Sequence, residues 1–158
     1  MSEDPLALEN QLCFALVTAT RNVVSVYRPV LEPLGLTHPQ YLVLLALWES
    51  SPQSLGALAD ALALEPATLS PLLKRLEAQG RVVRSRRADD ERVLDVALTA
   101  EGAALRDRAL SVPAEIMVRT GLDEDAVRAL RDGLVAFTGQ EGWGKRADAR
   151  TTNTRDRS

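Results

Sequence analysis

The chain has 158 residues, 46% of them hydrophobic, and a formal net charge of −3, which suits one buried core in a single domain. No apolar run approaches the roughly 18 residues that span a bilayer, and no basic flank leads into an apolar segment at the N-terminus, so the sequence reads as a soluble cytoplasmic protein. A single cysteine excludes an internal disulfide, one histidine beside it excludes a zinc site of common spacing, and with no phosphate loop, nucleophile elbow or repeat neither a cofactor nor an enzyme is expected.

From about Leu8 to Val30 the apolar residues Leu8, Leu12, Ala15, Leu16, Ala19, Val23, Val26 and Val30 recur at helical spacing, which predicts a long first helix. Asp4-Pro5 offers an earlier cap, and the spacing leaves open which turn comes first. The opposite side, with Phe14, Val17, Val24 and Tyr27, is also apolar, so a partner subunit is expected to cover it. Pro33 and Gly35 end the helix. Thr37 to Gln40 then has the form of a capping box for a second helix through Tyr41, Leu44, Leu45 and Trp48.

A short helix with Ser54 as N-cap and Leu55, Leu58, Ala59 and Leu62 on its buried side is joined by a tight connection, Ala63 to Pro66, to a helix from Ala67 to Gln79. Leu69, Leu72, Leu73 and Leu76 face inward there, which leaves Ala67, Ser70, Pro71, Lys74, Arg75 and Ala78 outward. Such small, hydroxylic and cationic side chains can approach a phosphate backbone and reach base edges. Gly80 marks the helix end, and 82–86 and 93–98 read as the strands of a two-stranded wing with its tip at 87–92. Residues 71–87 carry Lys74, Arg75, Arg81, Arg84, Arg86 and Arg87 against Glu77 alone. Clustered cations in an acidic chain point to an anionic partner at this place, because counterion release from DNA rewards local charge. The fold class is therefore mainly α with a small β-wing, a winged helix-turn-helix over about 36–98 that reads double-stranded DNA.

Thr99 is the expected cap of a helix from about Ala100 to Arg119, bent by Pro113, and Gly121 ends it. Asp123 starts a last helix with Val127, Leu130, Leu134 and Phe137 on one face. These terminal helices, with 8–31, are the expected dimerisation elements. Residues from about Gly139 (140–158) lack periodicity and read as a disordered tail with a lone Trp143.

Several segments sharpen this into a family. Leu8-Glu9-Asn10-Gln11-Leu12-Cys13-Phe14, Tyr27-Arg28-Pro29, Leu34 to Val43, Thr68 to Glu77 and Asp90-Glu91-Arg92 resemble, in order, the MarR family of winged-helix repressors, and within it the organic hydroperoxide resistance regulators. The resemblance covers about residues 8–138. It implies a cytoplasmic homodimer on an inverted-repeat operator, with Cys13 as peroxide sensor and two tyrosines of the other subunit hydrogen-bonded to it. Tyr27 matches the first of these. The second position, in Leu36-Thr37-His38-Pro39-Gln40-Tyr41, is His38. An imidazole N–H can also donate to a thiolate, and an imidazolium would add direct charge attraction; the alternative is a surface histidine that touches nothing. A second departure lies ahead of Thr120-Gly121-Leu122, where some members carry a cysteine and this chain has Val118. A one-cysteine route follows, in which the sulfenate is trapped by an external small thiol or overoxidised.

Geometry and resemblance together assign Thr68, Ser70, Pro71, Lys74 and Arg75 to the major groove, Arg92 with Asp90 at the wing tip to the minor groove, and Arg86 and Arg87 to phosphates. Two other functions compete with the peroxide-sensing repressor. One is a repressor of the same fold released by a small aromatic or anionic ligand between the first, second and fifth helices. The other is a thiol peroxidase, disfavoured because no resolving cysteine or nearby general acid is evident.

Overall fold

The computed structural model describes residues 4–138; the expected tail and Trp143 lie outside them. The first helix differs from its expected bounds. Leu8–Asn10 form a single 3-10 turn, Gln11 is extended, and α1 runs from Leu12 to Leu31. The Asp4 carboxylate accepts the Leu6 N–H at 2.9 Å, and the Gln11 amide donates to the Pro5 carbonyl at 2.7 Å. These local bonds compete with the helix and delay its start.

A 3-10 turn, Glu32–Leu34, leads through left-handed Gly35 into α2, His38–Glu49. The expected capping box is present: Thr37 accepts from the Gln40 N–H, and the Gln40 side chain accepts from Thr37 N–H at 2.9 Å. Ser54 caps α3, Leu55–Leu62. A tight turn closed by left-handed Ala63 leads to α4, Pro66–Ala78. Leu69, Leu73 and Leu76 of α4 are fully buried against Leu44, Leu47 and Leu58, and this packing fixes which face of α4 points outward.

The wing is a three-stranded sheet, not the two-stranded one expected. Gln53–Ser54 (β1) pairs with Leu94–Leu98 (β3), which pairs in turn with Val82–Arg86 (β2), all antiparallel. A two-residue strand carries no periodicity, so the sequence gives no sign of it. The long C-terminal helix is also divided, into α5 (Ala100–Ala109) and α6 (Val112–Thr120). Pro113 has no N–H to offer Ala109, the last residue of α5, so the hydrogen-bond ladder is interrupted there. Gly121 in the left-handed region ends α6, and α7 runs from Glu124 to Thr138.

α6 packs along α1, yet most of the apolar surface of these helices stays open. Leu12 is 56% exposed, Val118 84% and Phe137 62%, with Phe14, Val17, Val23 and Leu130 exposed beside them. Of the stripe expected to be buried on α1, only Val30 is.

Where α5 meets the sheet, the Trp48 indole donates to the Gly102 carbonyl at 2.9 Å. Thr99 caps α5 through the Gly102 N–H and donates its hydroxyl to the Gly80 carbonyl at 2.6 Å. A Cβ on Gly102 would run into the Arg81 carbonyl. In an open helix Gly→Ala stabilises by about 1 kcal/mol. Here the backbone contact reverses the sign: Gly102→Ala is expected to destabilise by about 2 kcal/mol, read as a lower urea midpoint at fixed protein concentration.

Candidate functional site

The outward face of α4 carries the expected set. Thr68, Pro71, Lys74 and Arg75 are exposed and Ser70 is half-buried. Pro71, inside the helix, leaves the Ala67 carbonyl without its usual partner four residues on. Arg86 and Arg87 leave the end of β2, and Arg92 projects from the tip with its side chain 92% exposed.

Three of the wing arginines are held by carboxylates. Arg84 forks onto Glu77 through Nε at 3.0 Å and Nη2 at 2.8 Å, Arg87 onto Asp95 at 2.9 and 2.6 Å, and Arg92 onto Asp90 at 3.0 Å. Hydrogen bonding to these guanidinium groups pushes the Glu77, Asp95 and Asp90 carboxyls below their usual range, so the pairs stay ionised at neutral pH. The sequence reading includes Asp90 but misses Glu77 and Asp95. Alternation along 82–86 and 94–98 places side chains on faces, but the facing of Arg87 and Asp95 depends on a hairpin register that sequence alone leaves open.

The redox candidates are divided between two places. Cys13 is an exposed free thiol at the second residue of α1. Tyr27 and His38 meet edge to face with ring centroids 5.0 Å apart, and Tyr41 lies 5.9 Å from Tyr27. Cys13 and Tyr27 share one helix fourteen residues apart, about 21 Å along its axis, so they do not meet within a protomer. Burial raises the Tyr27 pKa and, with the Tyr27 charge, takes Tyr41 to about 12, so both hydroxyls keep their protons. Burial lowers the His38 pKa, which favours a neutral ring with one N–H donor over the imidazolium alternative.

Two clefts flank this aromatic row. One of about 730 Å³ lies between α1, α2 and α4, with Arg28, Glu32, His38, Arg75 and Gln79 on its walls. The other, about 360 Å³, lies between α2 and the α5–α6 break, against Tyr41, Leu45, Trp48 and Arg106. Neither is bounded by the first, second and fifth helices together, between which the sequence places the ligand cleft. Among the described residues no cluster of His, Cys, Asp or Glu could hold a metal ion, and no helix is long and apolar enough to cross a membrane.

A helix-turn-helix with a wing and an outward cationic helix face defines a DNA-binding regulator, and comparison with known proteins agrees. The MarR family profile matches residues 36–94. The chain is 38% identical over 131 residues to the organic hydroperoxide resistance transcriptional regulator of Bacillus subtilis (strain 168), covering 83% of this chain and 89% of that protein. It is 42% identical over 135 residues to the HTH-type transcriptional regulator TtmR of Methylorubrum extorquens (strain PA1), covering 85% and 69%. Among solved structures, reduced AbfR bound to DNA superposes with a TM-score of 0.72 at 34% identity, over 88% of this chain and 97% of that one. The chain belongs to the MarR family of DNA-binding transcriptional regulators.

The depressed His38 pKa has a consequence for stability. The unfolded chain takes up a proton at this ring near the ordinary value of 6.5, before the folded chain does, so stability is full above that pH and is lost as pH falls through the folded value. Thermal melts from neutral to mildly acid pH should show a smaller decline for His38→Gln than for wild type. An equal decline would place the acid sensitivity elsewhere.

Proposed function

We propose that the protein is a cytoplasmic homodimeric repressor that leaves its operator when an organic hydroperoxide oxidises Cys13. The observation that carries this reading is the separation along α1: an exposed thiol at one end and a half-buried pair of ring donors, Tyr27 and His38, at the other. An antiparallel second copy of the uncovered α1 face brings the thiol of one subunit to the donors of its partner. The similarity to a hydroperoxide resistance regulator supports the same assignment.

In this reading residues 36–98 bind DNA, and 8–31 with 100–138 form the dimer. Two recognition helices related by a two-fold axis fit an inverted repeat with half-sites about one helical turn apart. Thr68, Ser70, Pro71, Lys74 and Arg75 enter the major groove, Arg92 the minor groove, and Arg86 and Arg87 hold phosphates. Arg87 does so with the donors that Asp95 leaves free.

The attacking form is the thiolate, to which the partner's Tyr27 hydroxyl can donate a hydrogen bond in the proposed dimer. Sulfur attacks the terminal peroxide oxygen, the O–O bond breaks and the alkoxide leaves, taking a proton to become the alcohol. Cys13 is then a sulfenate. A small thiol condenses with the sulfenic acid to a mixed disulfide with loss of water. The adduct adds bulk in a packed interface, and reversing occupancy from 99:1 to 1:99 needs about 5.5 kcal/mol of differential stability.

The cleft with Arg28 and Arg75 beside apolar Val24 and Leu36 favours a second reading, a repressor released by a small aromatic or anionic ligand. Operator binding with and without cumene hydroperoxide separates the two. Cys13→Ser should bind DNA and ignore peroxide, and Tyr27→Phe should respond more slowly. A Cys13→Ser protein that still leaves DNA on peroxide treatment makes the ligand reading the better one. Independently, Arg92→Ala should weaken operator binding at least about tenfold, and Arg87→Ala should mainly reduce the salt slope by about one.

A further inference from the structure

We propose that Glu77 is a positioning residue for DNA recognition, fixing the wing to the recognition helix at one angle so that Arg92 and the pair Lys74 and Arg75 reach their grooves together. The inference rests on the division of DNA contacts proposed above. Its basis is the way Glu77 holds Arg84. One carboxylate oxygen accepts the Arg84 backbone N–H at 3.1 Å, and the other accepts Nε and Nη2 of the same residue at 3.0 and 2.8 Å.

β2 is an edge strand in the order β1-β3-β2. Its outward N–H groups have no neighbouring strand to receive them. Glu77, from the helix, takes the one at Arg84 and clamps the side chain as well. An exposed ion pair with mobile partners contributes little to stability; this one ties a side chain and a strand backbone to a helix, with both side chains about one third exposed or less, 27% and 34%.

The base of the wing has several ties to the body of the protein: β1 pairs with β3 at Val96 and Asp95, and Val82 and Val96 are buried in the core. α4 connects to β2 through the turn at Gly80, in the left-handed region at φ 70°, with the Arg81 N–H donating to the Leu76 carbonyl at 2.9 Å. These fix the root of the wing, while its outer part, from Arg86 to Leu94, extends beyond them. Among the described residues, the side-chain hydrogen bonds that join α4 to β2 beyond that root are those of Glu77 with Arg84. From Arg84 to the wing tip is about 15 Å of extended chain. A twist of about 10° at Arg84 displaces Arg92 by about 2.6 Å, more than a hydrogen bond tolerates.

Glu77→Gln keeps the shape and one acceptor but loses the charge, and turns an amide donor toward the guanidinium. Affinity is measured for a duplex selected by the wild-type protein from a random-sequence pool, using wild type, Glu77→Gln, Arg92→Ala and the double variant, with thermal melts as the check on folding. Glu77→Gln should lose about tenfold in affinity at an unchanged melting temperature, and less than about twofold once Arg92 is absent. Arg84→Gln approaches the tie from its other end and should show the same non-additivity. Equal losses with and without Arg92, or no loss in either single variant, would overturn the positioning role while leaving Arg92 in the groove. Unchanged affinity in Arg92→Ala alone would remove the wing from DNA recognition, and this inference with it.

Discussion

α1 is a single twenty-residue helix, and its rigidity constrains everything assigned to the molecule. A helix cannot fold back on itself, so Cys13 near one end and Tyr27 fourteen residues on are held apart by about 21 Å. The same helix exposes Leu12 and Val23 on one side and Phe14 and Val17 on the other, apolar side chains that packing within one subunit leaves uncovered. One arrangement answers both facts. In the proposed dimer a second copy lying antiparallel along α1 would cover these side chains and carry each thiol to the partner's Tyr27 and His38.

The basic surface is more economical than its cation count. Of the six cations in 71–87, Arg84 and Arg87 are held by Glu77 and Asp95. Lys74, Arg75, Arg81 and Arg86 form no such pair among the described residues; the first two and Arg86 are exposed, while the Arg81 Nε is buried. Arg92 is different again: its partner Asp90 is a neighbour in the same loop and its guanidinium is almost fully in water. An exposed pair of that kind is weak, so Arg92 can exchange Asp90 for DNA at little cost. The carboxylates of this region therefore differ in kind: Glu77 and Asp95 hold arginines of the wing in partly shielded pairs, and Asp90 holds Arg92 in an exposed one.

Local signals in the sequence account for most of the fold. The Thr37–Gln40 capping box, the Ser54 and Thr99 caps, the Gly80 and Gly121 stops and the leucine stripe of α4 are decided within a few residues of chain, and each forms as read. The misses depend on distant partners or on short competing bonds. β1 is a strand only because β3 lies beside it. The Glu77–Arg84 clamp needs the hairpin register and the turn at Gly80 at once. Gln11 breaks the first helix through a bond to Pro5 that no periodicity reports. At the thiol site the sequence pattern names Cys13, Tyr27 and His38; that the two rings meet edge to face within one subunit while the thiol stands apart is a property of helix length and of the α1–α2 packing.

The shared site is tested most directly with mixed dimers. One subunit carries Cys13→Ser and the other Tyr27→Phe, and the oxidation rate of the single remaining thiol by cumene hydroperoxide is followed by mass spectrometry. If the site is completed across the interface, the remaining Cys13 faces an intact Tyr27 on its partner and reacts at the wild-type rate. If that thiol instead reacts as slowly as in the Tyr27→Phe homodimer, the two residues act within one subunit, and the account of a thiol completed by its partner is wrong.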